Sequence, residues 1–351
     1  MEDYISTLFQ DWAPSQMLDG FDTFLSGAIV TAAARWTDAF RGARGCFFTF
    51  HRAAPRAVWP SLPNRNFYLD LDFLDALLTH LAMSGRRIVT IEEGLRLAAD
   101  GTTRDTFVNF SIDDCYRDTY EEVVPLFRRH GVPLTLFVTT GIPDGTMSLC
   151  WAGLEDTIRS RDSILVDGEE IKTDTIERKL ATYAALQTQW DGPAMGEHYA
   201  KFCAGNGVDP LEMREKHAIT WQMLSELAQD PLVEIGSHTV SHPRISELTP
   251  EEARYELGGS RERLREKLGV PVKHFAFPYG RMKDCGPRDF AIAQEVGYEG
   301  VATTTKGLIR PGPVPYAYPR VTLNGAYRTL LVPELHMAGA SAAAARALGR
   351  V

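Results

Sequence analysis

The sequence is poor in features that define several large protein classes. Its 351 residues include only five cysteines, Cys46, Cys115, Cys150, Cys203 and Cys285, and no Cys-x-x-Cys pair. An odd number of widely spaced cysteines does not form a disulfide framework and favours a reducing compartment. We therefore expect a cytoplasmic protein.

Positive charge and long apolar runs are also scarce. The formal net charge is −9, so the composition predicts no nucleic-acid partner. The most apolar early stretch, residues 24–34, is much shorter than the ~20 residues that a membrane span needs, which predicts no transmembrane segment. The first basic residue is Arg35, and a signal peptide would need basic residues ahead of its apolar stretch.

Short apolar strands alternate with amphipathic helices along most of the chain. The predicted strands are Cys46–Phe50, Arg87–Thr90, Phe107–Ile112, Leu134–Val138, Leu232–Ile235, His274–Phe277 and Gly300–Thr303. The predicted helices are Leu71–Met83, Tyr116–Arg129, Trp221–Gln229, Glu251–Leu268 and Arg288–Glu295. Several strands are continuously apolar, which is typical of parallel strands covered on both faces. The alternation predicts a parallel α/β fold, either a barrel or a doubly wound sheet.

Three stretches depart from this alternation. Residues 143–219 have no strongly apolar strand, and they contain a predicted hairpin, Ile164–Lys172, with Asp167 and Gly168 at its turn. We interpret them as a helical insertion into one domain of residues 45–330. Residues 1–44 are predicted to form a helical N-terminal extension, and residues 331–351 a C-terminal helix or tail.

Two adjacent carboxylates, Asp113 and Asp114, directly follow an apolar strand. Catalytic groups in parallel α/β folds gather at the carboxyl ends of strands. A bend at the strand end can bring both side chains into one site. The alternative is that the two residues only cap the helix that begins near Tyr116.

A pair of histidines, His238 and His242, follows a later apolar strand. Histidines four residues apart lie on the same side of a helical turn and can chelate one metal ion. Asp114 would then add an oxygen ligand and leave positions open for water and substrate, which is typical of a catalytic site.

The order of these motifs along the chain is more specific than any one of them. After the Asp pair and the His-x-x-x-His segment, the next strand ends at Pro278-Tyr279-Gly280, where a tight turn can direct a backbone N–H into a site. This order resembles the polysaccharide deacetylase family, also called the NodB homology domain or carbohydrate esterase family four. The resemblance covers roughly Cys46 to Leu323. It implies a distorted (β/α) barrel of about seven parallel strands and metal-dependent removal of acetyl groups from sugars.

The resemblance also implies roles for individual residues. Asp113 matches the catalytic base, and Asp114, His238 and His242 match the ligands of one divalent metal ion. Two histidines and a carboxylate suit Zn²⁺, and also Co²⁺, Ni²⁺ or Fe²⁺. The backbone N–H of Tyr279 matches a donor to the oxyanion.

Other positions near these motifs match the family or depart from it. Phe50-His51-Arg52 resembles a motif at the first strand and places His51 at the barrel mouth. Cys115 stands where the family usually has glycine, and we expect it, with Pro278 and Trp151, to contact the substrate. Phe275 replaces a customary arginine, so Arg320 is predicted to orient Asp113.

The general acid is predicted less directly. The family's C-terminal Leu-x-His motif is matched only superficially by Leu335-His336. Because imidazole titrates near neutral pH, His51 is our first choice for the acid and His336 the second.

The insertion is predicted to form one wall of the substrate site, with Trp151 lining it. It also carries Tyr183, Trp190, Tyr199 and Phe202, and aromatic faces pack well against sugar rings. The alternative, which we favour for most of these aromatic residues, is that they fill a small core within the insertion.

The predicted function is a metal-dependent hydrolase that removes an N-acetyl or O-acetyl group from a sugar, oligosaccharide or glycolipid. In this prediction Asp113 accepts the proton of a metal-bound water. One alternative is a deformylase or cyclic amide hydrolase on the same barrel, and another is a catalytically silent sugar-binding protein. A serine hydrolase is disfavoured because the sequence has no Gly-x-Ser-x-Gly motif. No oligomeric state is predicted.

Overall fold

The computed structural model describes residues 45–100, 106–192, 194–313 and 315–339. The predicted N-terminal extension, residues 1–44, lies outside these ranges, as do residues 340–351 of the predicted tail. Within the described ranges, no helix is both long enough and apolar enough to cross a membrane.

A curled sheet of parallel strands forms the centre of the molecule. The strands of the protein are β1 (Gly45–Phe50), β2 (Arg52–Ala54), β3 (Tyr68–Asp70), β4 (Arg87–Ile88), β5 (Phe107–Asp114), β6 (Leu134–Val138), β7 (Ser163–Val166), β8 (Glu169–Lys172), β9 (Val233–Ser237), β10 (His274–Ala276), β11 (Gly300–Ala302), β12 (Ala317–Tyr318) and β13 (Val321–Thr322). The central sheet has the order β12-β11-β10-β9-β6-β5-β1-β13, and β4 pairs with β5. All seven predicted strands therefore occur in this sheet.

One short segment supplies both edge strands of the sheet. β12 pairs with β11, β13 pairs with β1, and only Pro319 and Arg320 separate the two strands. A chain spans at most about 3.6 Å per residue, so Tyr318 and Val321 lie within roughly 11 Å of each other. The sheet must therefore curl until its two edges nearly meet. The result is a distorted barrel of six strands and a divided seventh, as the family resemblance implies.

Helices surround the sheet. They are α1 (Leu71–Met83), α2 (Ile91–Asp100), α3 (Val124–His130), α4 (Gly141–Asp144), α5 (Cys150–Ser160), α6 (Ile176–Trp190), α7 (Met195–Asn206), α8 (Pro210–His217), α9 (Trp221–Leu227), α10 (Pro250–Arg254), α11 (Ser260–Leu268), α12 (Pro287–Val296) and α13 (Leu331–Met337). Shorter 3-10 turns lie at Trp59–Ser61, Arg65–Phe67 and Ile245–Glu247, and π-turns at Thr119–Val123 and Tyr255–Gly259. The π-turns continue into α3 and α11.

Apolar periodicity explains how the helices pack. In α1, four leucines are at most 1% exposed: Leu74, Leu77, Leu78 and Leu81. They pack against residues of the central strands, and together these side chains form the main hydrophobic core. Burying each such side chain contributes about 1.5–3 kcal/mol. Further along the chain, Thr249 and Glu252 form the capping box that starts α10.

The residues of the predicted insertion, 143–219, lie between β6 and β9. The antiparallel hairpin β7–β8 has Asp167 and Gly168 at its turn, with φ of 51° and 87°. Positive φ at both central residues is typical of a tight hairpin turn. Four aromatic residues, Tyr183, Trp190, Tyr199 and Phe202, are 2–3% exposed in a separate hydrophobic cluster. For these four, the alternative that they fill the insertion's own core is confirmed.

Candidate active site

The carboxyl ends of neighbouring strands bring the predicted site residues together. β5 ends in Asp113 and Asp114, His238 directly follows β9, and Tyr279 lies just beyond β10. Asp114 is in register with Val138 of β6, which is in register with Ser237 of β9. Parallel strands end on the same side of a sheet, so these side chains share one end of the barrel.

A sharp bend at the end of β5 separates the two aspartates. Asp114 and Cys115 have φ of 70° and 66°, the left-handed region that costs a residue with a side chain about 1–2 kcal/mol. The Cys115 N–H donates to the Asp113 carbonyl oxygen at 2.9 Å. The bend lets both carboxylates serve one site, as predicted.

Cys115 is placed differently from its predicted role. Its side chain is 0% exposed and belongs to the main core, with Sγ 3.6 Å from the carbonyl oxygen of Phe137. Burial raises the pKa of this thiol well above its usual range. A side chain with no exposed surface cannot touch a substrate, so the expectation that Cys115 contacts the substrate needs correction.

Asp114, His238 and His242 form a candidate metal site. Asp114 Oδ1 lies 3.5 Å from His238 Nε2 and 3.3 Å from His242 Nε2, and the three candidate ligand atoms lie within 4.8 Å of one another. Asp114 Oδ1 is buried, and it accepts no hydrogen bond from any described residue. A buried carboxylate oxygen without a partner is costly, and a cation would satisfy it. The donor set therefore fits a divalent metal.

The tautomer of His238 also suits metal binding. Its Nδ1 lies 2.7 Å from the carbonyl oxygen of Ala276, so Nδ1 carries the proton and the lone pair of Nε2 is free. Burial is the main reason that the pKa of His238 is lowered to about 4. The imidazole is thus neutral at pH 7, which is the form that binds metals.

The two histidines meet through a loop and not through the predicted helical turn. Thr239 and His242 have φ of 71° and 62°, which a right-handed helix does not contain. The Thr239 hydroxyl accepts the His242 N–H at 2.9 Å, and the two histidine ring centroids are 5.0 Å apart. The prediction of helical spacing was therefore wrong, although the two rings do come together.

Asp113 is paired with Arg320 as predicted. The guanidinium donates to Asp113 Oδ1 at 2.7 Å and to Oδ2 at 2.8 Å, and Arg320 is 0% exposed. Burial alone would raise the pKa of Asp113, but the charge and hydrogen bonds of Arg320 outweigh it and hold that pKa well below its usual range. Asp113 is therefore ionised and held in one orientation.

The segment after β10 forms a tight turn, as predicted. Tyr279 and Gly280 have φ of 61° and 67°, and the Thr304 hydroxyl donates to the Tyr279 carbonyl oxygen at 2.7 Å. Within the described residues, the Tyr279 N–H has no hydrogen-bond acceptor. Pro278 is buried, so it shapes the turn and offers little surface to the substrate that it was predicted to contact.

The two candidate general acids differ in position. His51 is partly exposed, stacks on Phe67 at a centroid distance of 4.6 Å, and adds to the charges that lower the pKa of Asp113. His336 is buried on α13, with Nε2 3.1 Å from the Tyr327 hydroxyl, and burial lowers its pKa to about 4. Because His51 is partly exposed and acts electrostatically on Asp113 while His336 is buried, the structure favours His51 as the candidate acid.

Trp151 lies in the first turn of α5, at the start of the insertion. It is partly exposed and packs edge-on against Tyr183 at a centroid distance of 6.4 Å. One side of the Trp151 ring thus packs against the hydrophobic cluster of the insertion. Its contact with a substrate stays a prediction.

Several residues around the site were not identified from the sequence. Thr49 and Ser111 lie 3.0 Å from Arg320 Nη1, and Glu256 accepts hydrogen bonds from the loop between the two histidines. Thr49 is the one polar side chain of β1, Ser111 lies between the buried apolar residues Phe110 and Ile112 of β5, and Glu256 lies beside buried Leu257. A polar residue at a buried position was the signal available in each case.

Sequence comparison supports the family that the motifs indicate. Residues 100–301, more than half of the chain, match the family model described as polysaccharide deacetylase. YxkH of Bacillus subtilis (strain 168) is 27% identical over 109 residues, which are 31% of this chain and 38% of that protein. Chitin deacetylase 1 of Cryptococcus neoformans var. grubii is 39% identical over 72 residues, 20% of this chain and 15% of that protein. The matches thus span well under two thirds of these relatives.

Solved structures share the fold. The de-N-acetylase from Aggregatibacter actinomycetemcomitans has a TM-score of 0.51 and 13% identity, with 83% of this chain and 98% of that chain covered. IcaB from Ammonifex degensii has a TM-score of 0.50 and 19% identity, with 80% and 92% covered. At these identities the likeness shows the barrel alone. Taken with the match over residues 100–301, the sequence and the barrel show that the chain belongs to the polysaccharide deacetylase family.

Proposed function

We propose that this protein is a metal-dependent hydrolase that removes an N-acetyl group from a sugar, oligosaccharide or glycolipid. The observation that carries the proposal is the different environment of two adjacent carboxylates. Asp113 is held ionised by a buried guanidinium, whereas Asp114 Oδ1 is buried without a hydrogen bond beside His238 and His242. One carboxylate is thus suited to accept a proton and the other to bind a cation.

Asp114, His238 and His242 would hold the metal ion. Two imidazoles and a carboxylate favour Zn²⁺, with Co²⁺, Ni²⁺ or Fe²⁺ as alternatives. A metal bound there would supply Lewis-acid chemistry, which polarises an acyl carbonyl and lowers the pKa of a coordinated water.

The chain's own residues would perform the remaining steps. Asp113 would accept the proton of the attacking water, while Arg320 keeps the carboxylate ionised and correctly oriented. The Tyr279 N–H would donate a hydrogen bond to the oxyanion that develops at the acyl oxygen when water attacks the acyl carbon. The departing amine needs a proton, and His51 is the group we assign to supply it.

The substrate class is supported by a relative and not by geometry. One relative is named as a chitin deacetylase, which favours an acetylated sugar. We also propose a cytoplasmic location, on the odd number and wide spacing of the five cysteines.

The test is a screen for deacetylation. Zn²⁺-loaded protein is incubated with N-acetylated sugars, oligosaccharides and glycolipids, and mass spectrometry detects the loss of one acetyl group. Asp113→Asn protein is the matched control and should be inactive. N-formyl and cyclic imide compounds belong in the same panel, because turnover of these alone would replace the proposal by its first alternative. Sugar binding without any turnover would overturn hydrolase activity altogether.

A further inference from the structure

The loop that joins the two candidate metal ligands has an unfavourable backbone conformation. Two of its residues, Thr239 and His242, are in the left-handed region although neither is a glycine. Such a conformation persists only where the surrounding structure holds it. His242 is itself a candidate ligand, so whatever holds the loop also sets the direction of its imidazole.

A buried carboxylate holds this loop at its middle. Glu256 accepts the N–H of Val240 at 2.8 Å, the N–H of Ser241 at 2.9 Å and the Ser241 hydroxyl at 2.6 Å. These two residues lie between His238 and His242. Hydrogen bonds to an ionised carboxylate are about twice as strong as those between neutral groups.

The partners of the buried Glu256 carboxylate are hydrogen-bond donors of the ligand loop and not a cation. Glu256 is 7% exposed, and within the described ranges no basic side chain pairs with it. Buried glutamates are rare unless a charged partner accompanies them. Here the partners are the donors of the ligand loop. Glu256 lies in the π-turn Tyr255–Gly259, and single π-turns within helices occur frequently at functional sites.

The opposite side of the loop is fixed by the segment after β6. The N–H of Thr140 donates to the Thr239 carbonyl oxygen at 3.1 Å, and the N–H of Gly141 donates to the Val240 carbonyl oxygen at 2.8 Å. Gly141 allows this close approach, because a Cβ there would lie 2.5 Å from that same oxygen. Hydrogen bonds with the segment after β6 on one side and with the Glu256 carboxylate on the other thus hold the loop.

We propose that Glu256 is a positioning residue that sets the spacing and direction of the His238 and His242 imidazoles toward Asp114, and with them the affinity of the metal site. This inference rests on the proposed metal-dependent function. Without three acceptor contacts from Glu256, Thr239 and His242 would relax from the left-handed region. The Nε2 atoms of the two histidines would then diverge.

The test measures metal binding directly. Glu256→Gln keeps the shape of the side chain but removes its charge: the amide oxygen can still accept the two backbone N–H groups, more weakly, while an N–H₂ group replaces the acceptor of the Ser241 hydroxyl. Co²⁺ alone is titrated into the apo-protein against a competing chelator, and its visible absorption reports the geometry of the ligands. We expect an affinity loss of about 10- to 100-fold, the range found for residues that support metal ligands, together with an altered Co²⁺ spectrum.

Matched variants separate positioning from folding. Glu262→Gln changes an exposed glutamate of α11 whose partners are Arg261 and Arg265, and it should bind Co²⁺ like the wild type. Ser241→Ala removes only the hydroxyl bond to Glu256, and we expect a smaller loss of affinity with the same direction. Circular dichroism and melting temperature confirm that each variant is folded.

Each possible result of these titrations supports or overturns the proposed role of Glu256. If Glu256→Gln binds Co²⁺ with the affinity and spectrum of Glu262→Gln, the inference is overturned while the proposed function stands. If Glu256→Gln does not fold, an unchanged affinity in Ser241→Ala overturns the inference and a reduced one supports it. If the wild type binds neither Co²⁺ nor Zn²⁺, the proposed metal dependence fails and the inference fails with it.

Discussion

Asp113 and Asp114 are adjacent in sequence but differ in what surrounds each carboxylate. Arg320 donates two hydrogen bonds to Asp113, whereas Asp114 Oδ1 accepts no hydrogen bond from the described residues and faces two imidazoles. The left-handed backbone at Asp114 and Cys115 produces this separation, because it turns the chain immediately after Asp113. A straight strand would have directed the two side chains to opposite faces.

Asp113→Asn tests the assignment of the base. An amide cannot accept a proton from water, so turnover should fall by about 10²- to 10⁴-fold while the bound metal is retained. Activity on the acetylated substrate and metal content by mass spectrometry check both parts. Loss of the metal together with activity would mean that the roles of Asp113 and Asp114 are interchanged.

Arg320→Lys tests the proposal that Arg320 orients the Asp113 carboxylate. One ammonium cannot reproduce the bidentate contact, so we expect turnover to fall roughly 10²-fold although the charge is conserved. The pKa of Asp113 should also rise toward its usual range, because the cation that lowers it is held less closely. The acid limb of the pH–rate profile would then move to higher pH. An unchanged profile would argue that Arg320 does not act on the base.

At the residue scale, side-chain identities were predictable and local backbone was not. The motifs identified Asp113, Asp114, His238, His242 and Arg320 because residue type and order are visible in a sequence. The helical turn expected at the histidines was wrong, since left-handed backbone at Thr239 follows from tertiary contacts such as those of Glu256. Cys115 was misplaced for the same reason, because its burial depends on the bend that it belongs to.

At the scale of elements, the length of an apolar run decided what could be predicted. All seven predicted strands occur, and the capping box at Thr249 is present. The two-residue strands β12 and β13 were missed, because two residues carry no periodicity and Pro319 interrupts them. The hairpin β7–β8 was predicted correctly because its turn has a strong local signal at Asp167-Gly168.

The insertion also contacts the loops at the barrel end. Glu155 of α5 accepts the Tyr68 hydroxyl at 2.6 Å and the Asn64 N–H at 2.8 Å, and Asp191 accepts from Arg244, whose guanidinium lies over the Tyr279 ring. These contacts support the proposal that the insertion forms one wall of the substrate site.

Trp151→Ala tests that wall. Loss of one aromatic contact with a sugar is worth roughly 0.5–1.5 kcal/mol, so kcat/KM on the true substrate should fall up to about tenfold. A minimal acetylated amine, too small to reach Trp151, should be hydrolysed as before. Equal losses on both substrates, or a large drop in melting temperature, would assign Trp151 to the insertion core with Tyr183.

At the scale of the whole molecule, a buried ionic cluster fastens the last described helix to the first part of the barrel. Glu334 of α13 accepts hydrogen bonds from Arg86 at 2.5 and 2.9 Å and lies 2.6 Å from His80 Nε2 of α1. Burial would raise the pKa of Glu334, but its hydrogen bonds with His80 and Arg86 outweigh that effect and lower it. Arg86 and His80, which lie 248 and 254 residues before Glu334 in the sequence, thus both contact its carboxylate.

Glu334→Gln should destabilise the protein by about 3–5 kcal/mol at pH 7, because it leaves the buried Arg86 without its anionic partner. The pKa of Glu334 is lower in the folded protein than in the unfolded chain. Its contribution is therefore complete above the ordinary glutamate pKa of about 4.3 and declines as the pH falls below it. Urea unfolding of the wild type and of Glu334→Gln at pH 7 and pH 3.5 should show that the difference between their free energies of unfolding is smaller at pH 3.5. A constant difference would contradict the assigned pKa shift.

The divided seventh strand has a consequence for the order in which activity appears and disappears. Arg320 lies between its two halves, 207 residues after Asp113, and reaches Thr303 on one edge of the sheet and Thr49 on the other. A ribosome-bound chain therefore lacks the guanidinium that pairs with Asp113 until residue 320 has emerged and the seam has closed. During unfolding we expect the same seam to open first, since it consists of two-residue strands. Under the proposed function, turnover would then stop while most of the helical signal is still present, so that loss of activity would mark the opening of the barrel.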